Sequence, residues 1–251
     1  MRDLTPYPRW LLMAVCCLGG ASQAQTTLFD PALGLPHLQG WLPVLIAPVT
    51  PGTVTLSATS VQLNTTADMG TQQGWLRLSP QPLDTVGGFT LAFSLLVDST
   101  ASSSTNRAGF SVLFVGNDPA HALELGFDSS SVFAYDYLPA DPDRFVRGAG
   151  ASFSAGVAHD YALQVAGQQF SLLIDGSAAF SGSLKNYQAD GLPYTQANLM
   201  FFGDDTTRAS SNVAIGAISL VSPVPEPASV AMWLLGLAGL AGTMSRRKRA
   251  G

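Results

Sequence analysis

The chain has few of the residues that build helical bundles and nucleic-acid-binding surfaces. Charged residues make up only 12% of its 251 residues, and Glu124 and Glu226 are its only glutamates. Long exposed helices are built largely from Glu, Lys, Arg and Ala, so this composition argues against a helical bundle. The formal net charge is −5, whereas a nucleic-acid-binding protein needs a basic surface to displace counterions from phosphates.

Cysteine is also scarce, because Cys16 and Cys17 are the only two in the chain. Both lie in an apolar run at residues 10–20. If this run is removed by processing, the mature chain has no disulfide, no zinc–thiolate site and no cysteine nucleophile. A lipoprotein anchor on these cysteines is an alternative, but bacterial lipidation requires a small residue before the cysteine, where Val15 and Cys16 stand.

Residues 1–24 are predicted to be a secretory signal that signal peptidase removes. Arg2 and Arg9 provide a positive start, and the apolar run of residues 10–20 follows. Small residues then precede a predicted cleavage site after Ala24. The pattern therefore predicts an exported protein.

The C-terminal end combines a short motif, an apolar run and a basic cluster. The motif is Pro225, Glu226 and Pro227, and the apolar run covers residues 230–244. A helix over this run would be about 22 Å long, against a hydrocarbon core of about 30 Å, and small neighbouring residues extend the predicted transmembrane helix to about 229–245. The basic cluster, which should lie on the cytoplasmic side, is Arg246, Arg247, Lys248 and Arg249. A buried C-terminal helix is the alternative, but four consecutive cations fit a membrane stop better.

The order of these three parts over residues 224–251 resembles the PEP-CTERM sorting signal of Gram-negative bacteria. The resemblance implies that an exosortase in the cytoplasmic membrane recognises this tail and cleaves it near the triplet. It also implies a membrane anchor during sorting, and a final place at the cell surface or in an extracellular, exopolysaccharide-rich matrix. The sorted domains of this family are diverse, so the tail predicts a destination and no activity.

The remaining residues 25–223 read as one all-β domain with a formal charge of −9. Apolar and polar residues alternate over 89–97, as in a half-buried strand. Asp175-Gly176 predicts a tight hairpin, and Gly216 predicts a bulge. Further strands are predicted near 54–56, 61–63, 161–165, 170–174, 178–181, 198–202 and 213–220. Ten or more short strands and no helix of three turns between the two ends predict a two-layer β-sandwich.

Four segments of this domain, at residues 159–163, 173–176, 201–205 and 215–218, resemble the second half of laminin-G-like domains. The resemblance extends over about residues 85–221 and implies a concanavalin A-like jelly roll. Two immunoglobulin-like domains are the alternative, but the sequence has no Pro/Ser-rich linker near its midpoint.

No pattern in the sequence predicts a catalytic centre. Glycosidases of this fold class place acids at alternate positions of one strand, but Gly126 stands between Glu124 and Asp128. These two acids would be about 13 Å apart along a strand, too far for glycoside hydrolysis. They are interpreted as rim carboxylates that keep a strand soluble. We therefore expect a non-enzyme.

Two features indicate binding. Asp204 and Asp205 are candidate Ca²⁺ ligands, since Ca²⁺ prefers several carboxylate and carbonyl oxygens; solvated turn aspartates are the alternative. Alternation places Phe133, Tyr135 and Tyr137 on one face of a strand, where Tyr135 and Tyr137 could stack on sugar rings. The predicted polar partners of the sugar are Asp141, Asp143 and Arg144. Core packing explains the same aromatic alternation.

Taken together, these patterns predict an exported, exosortase-sorted surface or matrix protein whose sandwich is non-catalytic and binds extracellular polysaccharide. A glycan-active enzyme (glycosidase or lyase) and a purely structural matrix protein are the alternatives.

Overall fold

The computed structural model describes residues 23–46, 50–140 and 143–223. Within these ranges the chain forms fifteen β-strands and three short 3₁₀ helices, the latter at Pro31–Leu33, Pro36–Gln39 and Gln188–Asp190. The strands are β1 (Gln23–Phe29), β2 (Leu42–Ile46), β3 (Thr53–Leu56), β4 (Val61–Asn64), β5 (Gln72–Leu78), β6 (Phe89–Ser102), β7 (Phe110–Val115), β8 (Ala122–Asp128), β9 (Ser131–Tyr137), β10 (Phe145–Ser152), β11 (His159–Ala166), β12 (Gln169–Ile174), β13 (Ser177–Ser183), β14 (Leu199–Asp204) and β15 (Ala209–Pro223).

The strands form two sheets in which all neighbours are antiparallel. Sheet A has the order β13-β12-β11-β6-β15-β4-β3, with β1 also paired to β15. Sheet B has the order β10-β9-β8-β7-β14-β5-β2. The predicted all-β, two-layer sandwich is therefore confirmed.

The main core lies between the two sheets. Alternate residues of β6 from Phe89 to Val97 are buried, and the residues between them are half-buried. The ring of Phe93 lies 5.3 Å from Phe202 of β14 and 6.0 Å from Phe127 of β8, which joins sheet A to sheet B. Each such side chain contributes about 1.5–3 kcal/mol when it is fully buried. Burial of this kind stabilises a domain whose described residues contain no cysteine.

A second apolar cluster covers the outer face of sheet B. Leu113, Phe133, Tyr135 and Phe201 point away from the main core and pack with residues of the segment 185–198. This segment crosses the sheet: Tyr187 donates from its hydroxyl to the carbonyl oxygen of Tyr135 at 3.1 Å. The central strands β7 and β14 are consequently buried on both faces.

Most of the predicted strands and both predicted turn features are confirmed. Asp175 and Gly176 have φ values of 51° and 77° and connect β12 to β13. The register between β15 and β6 shifts between Ile215 and Ile218, so Gly216 lies in an irregular region, as predicted. The sequence patterns did not predict β1, β2, β5, β7 or β10.

The two predicted sorting segments lie largely outside the described residues. Only Gln23 and Ala24 of the predicted signal are described, and both belong to β1, which pairs with β15. Residues 224–251, with the predicted transmembrane helix, are outside the described ranges. Among the residues that the structure does describe, no helix has the length and apolarity needed to cross a membrane.

Candidate functional site

Two adjoining hollows form a groove on the outer side of sheet B. The first has a volume of about 420 Å³ and the second about 370 Å³, and Gln72, Arg107 and Asp205 line both of them. The other residues of the first, apolar hollow are Val44, Ile46, Leu76, Leu113, Leu192, Pro193, Tyr194, Leu199, Phe201 and Asp204. The other residues of the second, polar hollow are Asp143, Arg144, Phe145, Asp190, Thr206, Thr207 and Arg208. We call this continuous surface the sheet B groove.

Arg107 lies where the two hollows meet and is held mainly by aromatic rings. It belongs to the loop between β6 and β7, and its guanidinium lies 5.4 Å from the Tyr135 ring centre and 4.9 Å from that of Phe145. Its Nη1 atom is 3.9 Å from Oε1 of Glu124. Burial lowers the pKa of Arg107, but the electrostatic effects of Glu124, Tyr135, Asp205 and Tyr194 together outweigh burial, so the pKa is raised. Within the described residues, the guanidinium has no hydrogen-bond acceptor.

Glu124 and Asp205 place two carboxyl groups beside this guanidinium. Glu124 is on β8, is fully buried, and accepts a hydrogen bond of 2.8 Å from the Tyr194 hydroxyl through Oε2. Its Oε1 atom has no hydrogen-bond partner among the described residues. Burial, and then the neighbouring Asp205, raises the pKa of Glu124 well above its usual value. Burial also raises the pKa of Asp205, which accepts from the Ser111 hydroxyl at 3.0 Å.

Asp204 and Asp205, the predicted Ca²⁺ ligands, both accept hydrogen bonds from the protein. Asp204 is 1% exposed, and its carboxyl accepts from the Thr65 hydroxyl at 2.7 Å and from the Thr206 amide at 3.2 Å. Burial raises the pKa of Asp204 to about 8. In the described part of the chain, no three His, Cys, Asp or Glu side chains are grouped so that they could hold a metal ion. The two carboxyls therefore have partners within the protein, and the Ca²⁺ site stays a prediction.

The predicted aromatic ladder is present, but its members differ in exposure. Phe133, Tyr135 and Tyr137 share one face of β9, as predicted, and belong to the outer cluster of sheet B. The stacking role predicted for Tyr135 needs correction, because its ring is fully buried and its hydroxyl accepts from the Ala108 amide at 3.1 Å. Tyr137 is half-buried against Phe145, with ring centres 5.3 Å apart. Neither tyrosine lines the sheet B groove.

The predicted polar partners do lie beside the groove. Asp143 and Arg144 line its polar hollow. Asp143 pairs with Arg208 and accepts from the Asn106 amide at 2.9 Å, while Arg144 pairs with Asp190. The remaining predicted residue, Asp141, lies outside the described residues.

The structure also corrects the interpretation of Glu124, and it adds residues that the sequence did not indicate. Glu124 is a buried group under Arg107 rather than a solvated rim carboxylate, whereas Asp128 is half-buried and pairs with Arg147 at 2.8 Å. The sequence feature that could have indicated this burial is a single glutamate inside an apolar strand. Gln72, Arg107 and Tyr194 had no sequence signal, because they come from separate segments that only folding brings together.

The chain can be compared with known protein families, with curated proteins and with solved structures. Residues 223–249 match the family described as the PEP-CTERM protein-sorting motif. A sequence search of curated proteins found no match. The motif starts at Pro223, which is also the last residue of β15.

Solved structures that are similar to this chain include three proteins whose names refer to carbohydrates. The carbohydrate esterase vb_24B_21 from the Shiga toxin-encoding bacteriophage phi24B is 14% identical, with a TM-score of 0.58, and the alignment covers 80% of this chain and 100% of that one. The VIP36 exoplasmic/lumenal domain in its Ca²⁺/Man₃GlcNAc-bound form is 14% identical, with a TM-score of 0.48 and coverage of 80% and 89%. The carbohydrate-binding module CBM66 from Bacillus subtilis is 12% identical, with a TM-score of 0.43 and coverage of 72% and 94%. At such low identity, the first of these similarities supports the fold and nothing finer.

Proposed function

We propose that this chain, which carries a PEP-CTERM sorting motif at residues 223–249, is an exported polysaccharide-binding protein whose sandwich is non-catalytic. The motif indicates an exported protein that is sorted by way of the membrane. Signal peptidase removes residues 1–24, and an exosortase removes the tail. The mature protein then lies at the cell surface or in the matrix.

The position of the motif supports this arrangement. The last strand of sheet A, β15, ends at Pro223, where the matched motif begins. A cut near Pro225 would therefore leave every strand of the sandwich intact. The two antiparallel sheets are consistent with a concanavalin A-like jelly roll, which is the architecture we propose.

The sheet B groove is the observation that carries the binding function. Its apolar hollow offers the side chains of Tyr194 and Phe201, and its polar hollow offers charged side chains around the shared Arg107. Sugar rings present both apolar C–H faces and hydroxyl groups, so they need this combination of surfaces. Two connected hollows with a total of about 790 Å³ can accept several consecutive units of a chain.

The burial of Glu124 supports a non-catalytic site. A general acid or base must come within hydrogen-bond distance of the substrate atom that it protonates or deprotonates. Glu124 is fully buried and lines neither hollow, so Asp205 is the only member of the pair that a bound sugar could contact. A glycan-active enzyme remains the second candidate, because the carboxyl pair with raised pKa values lies beside the groove.

A glycan array with the secreted protein tests the proposal, with parallel measurements in Ca²⁺ and in chelator. We expect polysaccharide binding that Arg107→Ala weakens at least about tenfold, since a central arginine at a binding site contributes at this level. Arg147→Ala is the matched control, because Arg147 also lies over an aromatic ring, 3.8 Å from the centre of Phe133, but lines neither hollow.

Three results would contradict the proposal. If the protein binds none of the glycans on the array, the result would favour a purely structural matrix protein. Release of shorter products from a bound polysaccharide would favour the enzyme. Equal losses in the Arg107 and Arg147 variants would place the binding site elsewhere.

A further inference from the structure

Arg107 has hydrogen-bond donors for which the described residues provide no acceptor. Its guanidinium lies against the rings of Tyr135 and Phe145, and its Nη1 atom is 3.9 Å from Oε1 of Glu124, too far for a hydrogen bond. A guanidinium has five N–H donors. Because Arg107 lines both hollows, these donors are available to a molecule in the groove.

Gln72 supplies an acceptor next to the same junction. Its Nε2 atom donates to the carbonyl oxygen of Asp205 at 2.6 Å, which orients the amide. Its Oε1 atom has no partner among the described residues, and Gln72 also lines both hollows. An unused donor group and an unused acceptor therefore line the same two hollows.

The charges at this junction are already matched inside the protein. The positive charge of Arg107 faces the carboxyls of Glu124 and Asp205. On the rim, Arg144 pairs with Asp190 and Arg208 pairs with Asp143. A carboxylate entering the groove would thus approach Asp205 without gaining an unmatched cation, and the formal charge of −9 on residues 25–223 adds to the repulsion.

From this geometry we infer that the sheet B groove selects neutral polysaccharides over acidic ones, with Arg107 donating to sugar hydroxyls and Gln72 Oε1 accepting from them. A hydroxyl group both accepts and donates hydrogen bonds, so adjacent hydroxyls of one ring match this pair. A carboxylate can only accept, so it would leave Gln72 Oε1 without a donor where it replaces the hydroxyl that faces this atom. The inference rests on the proposed binding function and specifies its ligand class.

The test compares sugars that differ only in one group. The secreted protein is titrated with neutral gluco-, manno- and galacto-oligosaccharides and with their C6-oxidised uronic acid counterparts of equal length and linkage. We expect the neutral member of the bound pair to bind at least about tenfold more tightly, since juxtaposed like charges oppose binding strongly. Arg107→Ala should weaken binding of the neutral sugar, and Arg147→Ala should not.

Asp205→Asn provides a second, independent readout. This substitution keeps the shape and the acceptor for Ser111 but removes the negative charge beside Arg107. We expect the variant to bind the oxidised sugar about tenfold more tightly than the wild type does, with an unchanged circular dichroism spectrum.

The outcomes separate the inference from the function on which it rests. Equal or tighter binding of the oxidised sugars by the wild type would overturn the inference and leave polysaccharide binding intact. If Asp205→Asn discriminates between neutral and oxidised sugars as strongly as the wild type does, the inference is also overturned. The charge of Asp205 would then not be the cause of the selectivity. Absence of binding to every member of both series would instead refute the proposed function.

Discussion

At the scale of single residues, burial decides which polar side chains belong to packing and which face the groove. Tyr135 and Tyr137 occupy equivalent alternating positions of β9, yet Tyr135 has no exposed surface while Tyr137 is half-buried. The ring of Tyr135 lies 5.1 Å from that of Phe133 and supports the guanidinium of Arg107. Its contribution to the groove is therefore to position Arg107.

Substitution of Tyr135 should change stability before it changes binding. Tyr135→Ala should lower the free energy of unfolding by about 3 kcal/mol or more, because it leaves a cavity. Tyr135→Phe should cost about 1 kcal/mol, because the buried amide of Ala108 loses its acceptor. Denaturant unfolding of both variants measures these losses. A fully stable Tyr135→Ala variant with lost glycan binding would restore the stacking role for this tyrosine.

Asp204 should make stability depend on pH. Its pKa is raised to about 8 in the folded protein, whereas an unfolded aspartate has a pKa of about 3.9. Between these values the unfolded state releases a proton that the folded state retains. The contribution of Asp204 to stability therefore falls as the pH rises from about 4 to about 8, by up to about 1.4 kcal/mol per pH unit, and levels off above.

Asp204→Asn removes this titration. The variant should gain stability relative to the wild type as the pH rises from 5 to 8, measured by denaturant unfolding at each pH. Asp98→Asn, at an exposed position, controls for the loss of one negative charge. A difference in stability between the two proteins that stays constant from pH 5 to 8 would show that Asp204 is already ionised in the folded protein over this range.

At the scale of strands, a pair of glycines brings β5 and β14 together under the groove. Gly74 and Gly203 are directly paired across the two strands. A Cβ atom on Gly203 would lie 2.5 Å from the Cα atom of Gly74 and 2.7 Å from Cζ of Phe201. The backbone atom cannot move aside without a shift of the strand, so this position requires glycine.

Gly203→Ala should lower the free energy of unfolding by about 1–3 kcal/mol, the usual cost of overpacking, and should weaken glycan binding because Phe201 lines the apolar hollow. Gly176→Ala is the matched control. A Cβ atom there meets nothing within 4 Å, although the φ of 77° costs about 1 kcal/mol for alanine. Equal losses of stability in the two variants, with glycan binding retained in both, would contradict the close contact of β5 and β14 at Gly203.

At the scale of the whole molecule, the sandwich and the sorting motif share one position of the sequence, Pro223. The last strand ends at Pro223 and the matched motif covers residues 223–249. In a host that has an exosortase, intact-mass measurement should show loss of the tail near Pro225. Replacement of Glu226 by Ala should leave the tail attached. Exported wild-type protein that retains its full tail would contradict the proposed processing.

Cleavage at the predicted N-terminal site would shorten the first strand of the sandwich. Gln23 and Ala24 pair with Pro223 and Ser222, so cleavage after Ala24 would remove two residues from β1 and leave Gln25 as the first. N-terminal sequencing of the secreted protein should start at Gln25. A start at Met1 would contradict the predicted signal, and a start before Gln23 would place the cut outside the strand.

Local patterns in the sequence were enough to predict the all-β fold class, sorting by way of the membrane and the half-buried strands. Alternation over β6 and the Asp175-Gly176 turn are local patterns, because side-chain direction in a strand and the backbone of a two-residue turn depend on adjacent residues. The sorting motif is likewise a continuous segment. The strand β7 escaped prediction because the segment 185–198 buries its outer face, so its residues are apolar on both faces and show no alternation.

The composition of the sheet B groove could be known only from the packed molecule. Gln72, Arg107 and Asp205 come from β5 and two separate loops, and nothing in their spacing along the chain indicates that they share a groove. The character of Glu124 also depended on its surroundings, since the same carboxyl is a solvated group on an open strand and a group of raised pKa when the sheet is covered. Burial is a property of the packed molecule, and it requires contacts between residues that are distant in sequence.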